Sequence, residues 1–188
     1  MRLFFMTSGV PGSGKTTFRD NKFNKTPQII CPDSKIPYTK KEPWSFQRVK
    51  QAWRESDEEL KIGIEDPNKE LILFDATFVG LKKRKKYLNI VKKANMHPIV
   101  IYVNPSLDIC IARNEAREES RKVPLWILKN MSNNLKSPTV EEGFHIVIDV
   151  ERKIVYHDGC GCLEKLSEVV NLSGYNKKKE KRDEKRSL

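Results

Sequence analysis

Eight residues near the amino terminus carry the most specific chemistry in the chain. Gly9-Val10-Pro11-Gly12-Ser13-Gly14-Lys15-Thr16 fits the pattern G-x-x-x-x-G-K-[ST], and Thr17 follows it. Glycines at this spacing let the backbone turn tightly and aim successive N–H groups at phosphate oxygens. A lysine in Lys15's place reaches the outer phosphates of a nucleotide, and a hydroxyl in Thr16's place can ligate Mg²⁺. The loop thus points to ATP or GTP, with Gly9, Gly12, Ser13, Gly14, Lys15, Thr16 and Thr17 as the binding residues.

Two carboxylates follow short apolar runs. Leu71-Ile72-Leu73-Phe74 ends at Asp75, and Gln28-Ile29-Ile30-Cys31 leads through Pro32 to Asp33. In an open α/β sheet, ligands bind outside the carboxyl ends of the strands. Asp75 is therefore placed to hold Mg²⁺ directly or through water. Asp33 is placed either to take a proton from an acceptor hydroxyl or to serve as an ordinary turn residue. Arg113 and Arg117 are four apart, so they are expected to share a helix face. Arg121 and Lys122 extend the series. Movable arginines neutralise the charge that spreads over phosphate oxygens during phosphoryl transfer. A surface helix laced with Glu115, Glu118 and Glu119 is the alternative.

The elements that must hold these residues can be read from the hydrophobic pattern. Strands are expected at Leu3–Thr7, Gln28–Cys31, Leu71–Phe74, Pro98–Val103 and His145–Val150, with Lys153–Tyr156 pairing to the last across a short turn. Helices are expected at Lys15–Phe23, Trp44–Leu60, Lys82–Ala94, Leu107–Glu119, Leu125–Leu135 and Leu163–Leu172. Strands apolar throughout and separated by helices predict a parallel sheet covered on both faces. The expected fold is α/β: a three-layer P-loop domain with a mainly parallel sheet of about five strands and a helical arginine lid. The domain is expected to span residues 1–172, with 173–188 as a basic, disordered tail.

Composition sets the outer bounds. The chain has 188 residues, 38% hydrophobic and 32% charged, with a formal net charge of +11. That length supports one domain with its own core. No apolar run approaches a membrane span and no targeting segment is evident, so a cytoplasmic protein with no membrane partner is expected. The charge favours a polyanionic partner. Lys82-Lys83-Arg84-Lys85-Lys86 reads either as a phosphate-backbone track or as a solvated helix face. Phe46 and Trp53 read as the core face of a helix, and Trp44 as the best candidate to stack on a base. Cys160-Gly161-Cys162 after His157-Asp158 matches none of the common zinc spacings and reads as a turn with two thiols.

Taken together, the phosphate loop, Pro32-Asp33, Asp75-Ala76-Thr77, Arg113-Asn114-x-x-Arg117, Val123-Pro124 and Glu142-Gly143-Phe144 resemble the 5′-hydroxyl polynucleotide kinase family. The chain looks most like the kinase module of phage end-healing enzymes and their stand-alone relatives, over about residues 1–150. The resemblance implies ATP and Mg²⁺, transfer of the γ-phosphate to the 5′-hydroxyl end of DNA or RNA, and a role in nucleic-acid repair. It implies Lys15 and Thr16 on phosphates and Mg²⁺, Asp33 as general base, Asp75 organising the metal, and Arg113 and Arg117 as lid arginines. The reading from the residues leaves open a small-molecule acceptor, such as a nucleoside, nucleotide or nucleotide sugar, and a nucleic-acid-associated ATPase. Two features depart from the family. Ile36 stands where it usually has an arginine three residues after the base, with Lys35 beside it, and the phosphatase signature D-x-D-G-T is absent.

Overall fold

The computed structural model describes residues 1–36 and 45–180. Trp44, the expected base-stacking residue, lies outside them. Seven strands are present among the described residues: β1 (Arg2–Ser8), β2 (Gln28–Ile30), β3 (Leu71–Phe74), β4 (Met96–Tyr102), β5 (Ile146–Asp149), β6 (Ile154–His157) and β7 (Asn176–Lys179). They form one sheet in the order β2-β3-β1-β4-β5-β6-β7. The first five in that order are parallel, β6 is antiparallel to β5, and β7 is parallel to β6.

The α/β fold expectation holds, with more strands than expected. β6 is the strand expected at Lys153–Tyr156, returning antiparallel to β5 across a turn at Lys153, and the unforeseen one is β7, which adds an edge beyond the expected domain end. Asn176–Lys179 falls in the segment expected as a disordered tail, because a low-complexity lysine run carries no apolar strand pattern. On an edge strand, exposure is no obstacle, and lysines there discourage pairing with other chains.

Helices cover both faces because the strand residues alternate between them. Phe4, Met6 and Phe74 point to α2 (Phe46–Glu65) and α3 (Leu81–Lys93), meeting Leu60, Tyr87, Leu88 and Val91. Leu3, Phe5 and Ile99 point the other way, to Phe18 of α1 (Lys15–Lys22) and to Leu166 and Val169 of α6 (Cys162–Val169). A third cluster packs α4 (Leu107–Glu115) and α5 (Leu125–Asn134) against the loop after β1 through Val10, Cys110 and Leu128.

Within α2 the pattern reading divides. Trp53 packs on Phe74 and Phe78 and belongs to the core, whereas Phe46 is 65% exposed. Ser45 caps this helix, accepting from the Arg48 N–H, so Phe46 falls in the first turn where the chain enters from outside.

Candidate active site

The central strands β1 and β3 bring the two strongest motifs together. The loop leaves the end of β1, and Gly9 donates its N–H to the Thr77 carbonyl just past β3. A Cβ on Gly9 would stand 2.2 Å from the Val103 carbonyl oxygen, which permits only glycine. Gly12 has φ of +80°, and a Cβ there would lie 2.6 Å from the Cys110 carbonyl oxygen. The loop is thus wedged between the end of β4 and the backbone of α4 at Cys110.

Lys15 and Thr16 open α1. Lys15 Nζ lies 2.8 Å from the Val10 carbonyl oxygen and 3.4 Å from Ser13 Oγ, folded over the loop. Burial holds its ammonium below the usual lysine range, opposed by the nearby carboxylates of Asp75 and Asp33. Thr16 and Thr17 are exposed, with Thr16 on the cleft wall.

Asp75 is 5% exposed, and both its oxygens are engaged. Oδ1 lies 3.0 Å from the Thr7 hydroxyl, and Oδ2 accepts from Arg19 Nη1 at 2.9 Å. Arg19 went unrecognised in the sequence, although it sits one helical turn after Lys15 and supplies the buried acid's countercharge. The signal is its position on the face of α1 that carries Lys15 and Thr16.

Asp33 is exposed on a short 3₁₀ turn, Pro32–Lys35, at the end of β2. Lys35 makes a 2.6 Å ion pair with Glu59 of α2, and Ile36 is buried. The residue standing where the resemblance calls for arginine is therefore a core side chain. Asp33, Lys15, Thr16, Arg19, Asp75, Arg117 and Arg121 all line one cleft of about 400 Å³. Its apolar wall includes Pro11, Val49, Trp53 and Met131.

The arginines divide differently from the sequence expectation. Helix α4 stops at Glu115, so Arg113 and Arg117 do not share a helix face. Arg113 Nη1 donates to the carbonyls of Gly12 (3.2 Å) and Ser13 (3.1 Å), bracing the phosphate loop from outside. Arg117 and Arg121 reach the cleft from the segment between α4 and α5. Asn114 holds that segment in place. Its side-chain amide donates to the Val123 carbonyl at 2.9 Å, and its oxygen accepts from the Val123 N–H at 3.1 Å. This explains the spacing of Arg113-Asn114-x-x-Arg117 and Val123-Pro124 as a clasp around a loop.

Glu142 of the Glu-Gly-Phe motif does not line the cleft. It makes a two-pronged pair with Arg84, at 2.8 and 2.6 Å. Arg84 is fully buried and also donates to the carbonyls of Phe78, Val79 and Lys136. The basic run Lys82–Lys86 is accordingly not a uniform charged face. Arg84 is a structural strut, and Lys83 lies over the Trp53 ring, 2.9 Å from its centroid.

A phosphate-cradling loop on a five-strand parallel core, with its glycines held by close backbone approach, restricts the possible families. Residues 4–138 match the family model described as an AAA domain (AAA_33). The chain belongs to that AAA domain family. This AAA-domain chain is 27% identical over 182 residues to the L-seryl-tRNA(Sec) kinase of Methanococcus maripaludis, covering 90% of this chain and 68% of that one. Among solved structures it is similar to the AvrRxo1-ORF1:AvrRxo1-ORF2 complex with sulphate ions, with a TM-score of 0.55 and 13% identity over 70% of this chain. That match covers 46% of the neighbour, so the AAA-domain chain spans less than half its length. The PezAT toxin–antitoxin system of Streptococcus pneumoniae gives a TM-score of 0.54 at 15% identity, over 78% of this chain and 67% of that one. At these identities the two structures speak for the fold alone. Family and relative together set the AAA-domain chain among the P-loop kinases. The 5′-hydroxyl polynucleotide specificity is a narrower claim. No helix among the described residues is long and apolar enough to cross a membrane.

Proposed function

We propose that this chain is an ATP-dependent P-loop kinase that moves the γ-phosphate onto a hydroxyl of a small acceptor group, free or carried on an RNA. The observation that carries the reading is the convergence of Lys15, Asp33, Asp75, Arg117 and Arg121 on one cleft. The cleft suits a small reacting group, and a relative with a kinase's name supports the chemistry.

In this reading the loop N–H groups and Lys15 hold the triphosphate. The loop fits that role because glycines at 9 and 12 let it pack directly on the Val103 and Cys110 carbonyls, which holds its turn in place. Mg²⁺ would neutralise charge on the β- and γ-phosphate oxygens. Thr16 would hold it, with Asp75 acting through water because Thr7 and Arg19 already occupy its oxygens. Asp33, exposed at the cleft, accepts the proton of the acceptor hydroxyl as its oxygen attacks phosphorus. Arg117 and Arg121 cover the charge on the transferring group.

A second reading, transfer to the 5′-hydroxyl end of DNA or RNA, draws support from an aromatic pair. Phe46 stands 6.3 Å from Trp126, centroid to centroid, and both are largely exposed. Phe46 is one helical turn before Val49, which lines the cleft. Exposed aromatics beside a reacting site can stack on bases.

The test is an acceptor panel with labelled ATP and Mg²⁺: nucleosides, sugars, a hydroxy-amino-acid ester of tRNA, and a 5′-hydroxyl oligonucleotide. Label on a small or RNA-borne group is the expected result, and label on the oligonucleotide alone would install the second reading. Asp33→Asn should slow transfer by about 10²–10⁴-fold while leaving ATP affinity unchanged. Normal transfer by that variant removes Asp33 as the base.

A further inference from the structure

All three histidines of the chain and two of its four cysteines gather at one corner, at the end of the sheet opposite the phosphate loop. His97 is at the start of β4, paired in register with Leu3, whereas the loop follows the other end of β1. His145 immediately precedes β5, and its N–H donates to the Pro98 carbonyl. His157 ends the antiparallel β6, opposite Ile146. Asp158, Cys160 and Cys162 follow, the last opening α6 with its side chain fully buried. The reversal of β6 is what brings a strand's carboxyl end, with its loop, to the amino ends of β4 and β5.

The side chains are already close. The ligand atoms of His145, Asp158 and Cys160 all lie within 4.8 Å of one another. Asp158 Oδ2 is 2.7 Å from His145 Nδ1, and Asp158 Oδ1 accepts from the Cys160 N–H at 2.9 Å. The His97 and His145 rings are 5.0 Å apart. Nδ1 of His97 and Nδ1 of His157 are both buried without a hydrogen-bond partner among the described residues, which is costly for polar atoms. Cys160 and Cys162 are joined as a disulfide with Cα atoms 5.3 Å apart.

We propose that, once this disulfide is reduced, His145, Asp158, Cys160 and Cys162 form a Zn²⁺ site at this corner. The donor set of one nitrogen, one carboxylate oxygen and two thiolates is of the kind zinc takes in closed, four-coordinate sites. Zinc at about 2.0–2.3 Å from each donor needs them about 3–4 Å apart; His145, Asp158 and Cys160 are already within 4.8 Å of one another, and the Cys162 sulfur, bonded to that of Cys160, must turn towards them when the disulfide opens. The two cysteines flank a single glycine, so both sulfurs can turn to the same point. A small dithiol supplies two electrons and two protons to open the disulfide, becoming a cyclic disulfide itself. Zinc then takes the place of the two thiol protons, which leave to solvent. Metal and disulfide are mutually exclusive states of the same sulfurs, so occupancy follows the thiol redox state. The site would pin the β6–α6 loop to the start of β5.

The experiment compares the full chain after reduction with dithiothreitol, with the excess reductant removed anaerobically, and after oxidation to the disulfide. Zinc uptake is read by competition with a chromophoric chelator, and Co²⁺ is used as a spectroscopic substitute. The reduced chain should bind one Zn²⁺, and its Co²⁺ form should show a thiolate charge-transfer band. The oxidised chain should bind none. Cys160→Ser and Asp158→Asn, both at partly exposed positions, should weaken zinc binding by about a hundred-fold or more. Circular dichroism identifies the variants that remain folded. The proposal falls if the reduced chain takes up no zinc, or if folded Cys160→Ser binds it as the parent does.

Discussion

At the scale of single residues, the two arginines expected to form a lid stand in different surroundings. Arg113 holds the Gly12 and Ser13 carbonyls, while Arg117 faces the cleft. Arg117→Ala should therefore lower kcat by about 10²–10³-fold with little change in ATP affinity, as expected for an interaction made chiefly in the transition state. Arg113→Ala should act on the loop and weaken ATP binding itself. Steady-state kinetics with equilibrium nucleotide binding separates the two, and identical profiles would contradict the division. The residues legible in advance were those whose role is written in local spacing, such as Lys15 and Thr16. Arg19 was not, because its partner Asp75 is 56 positions away and only the pairing of β1 with β3 brings them together. Arg84 was hidden for the same reason, its Glu142 lying 58 positions on, and four lysines around it advertised a solvated face.

At the scale of elements, α3 is fastened from inside and tuned from outside. Arg84→Ala would leave Glu142 and three carbonyls without their buried donor. Breaking a buried pair in this way costs about 3–5 kcal/mol, or on the order of 10 °C in Tm for a domain of this size. Thermal unfolding measures this, and an unchanged Tm would show that Arg84 is no strut. One position earlier, burial pulls the Lys83 amine down to about 8. Its ammonium should therefore sit over Trp53 at pH 7 and lose its proton as pH rises through about 8, well before an ordinary lysine near 10.4. Tryptophan emission should show a step near that pH, absent in Lys83→Met. The strands and helices themselves were mostly legible because unbroken apolar runs mark doubly covered strands. Helix α4 was overextended to Glu119 because Arg117 and the glutamates continue a helical charge pattern. The Asn114 side chain, by capturing Val123, makes a loop the better solution.

At the scale of the whole molecule, the sheet does not stop where the apolar pattern does. Tyr175 packs on the α1–α6 side, Asn176 donates its N–H to the Lys153 carbonyl, and Glu180 donates to that of His157. A chain ended at Leu172 should lose about 1–2 kcal/mol and a few degrees of Tm. No loss would restore the expected boundary. The same molecule-wide view changes the meaning of Gly12. The Cys110 carbonyl fills the space a side chain would need there, so the loop after β1 and helix α4 share a contact surface with no slack. Enlarging Gly12 to alanine would therefore push on the backbone of α4 at Cys110, so one methyl group placed in the loop is felt in the helix from which the arginine segment departs.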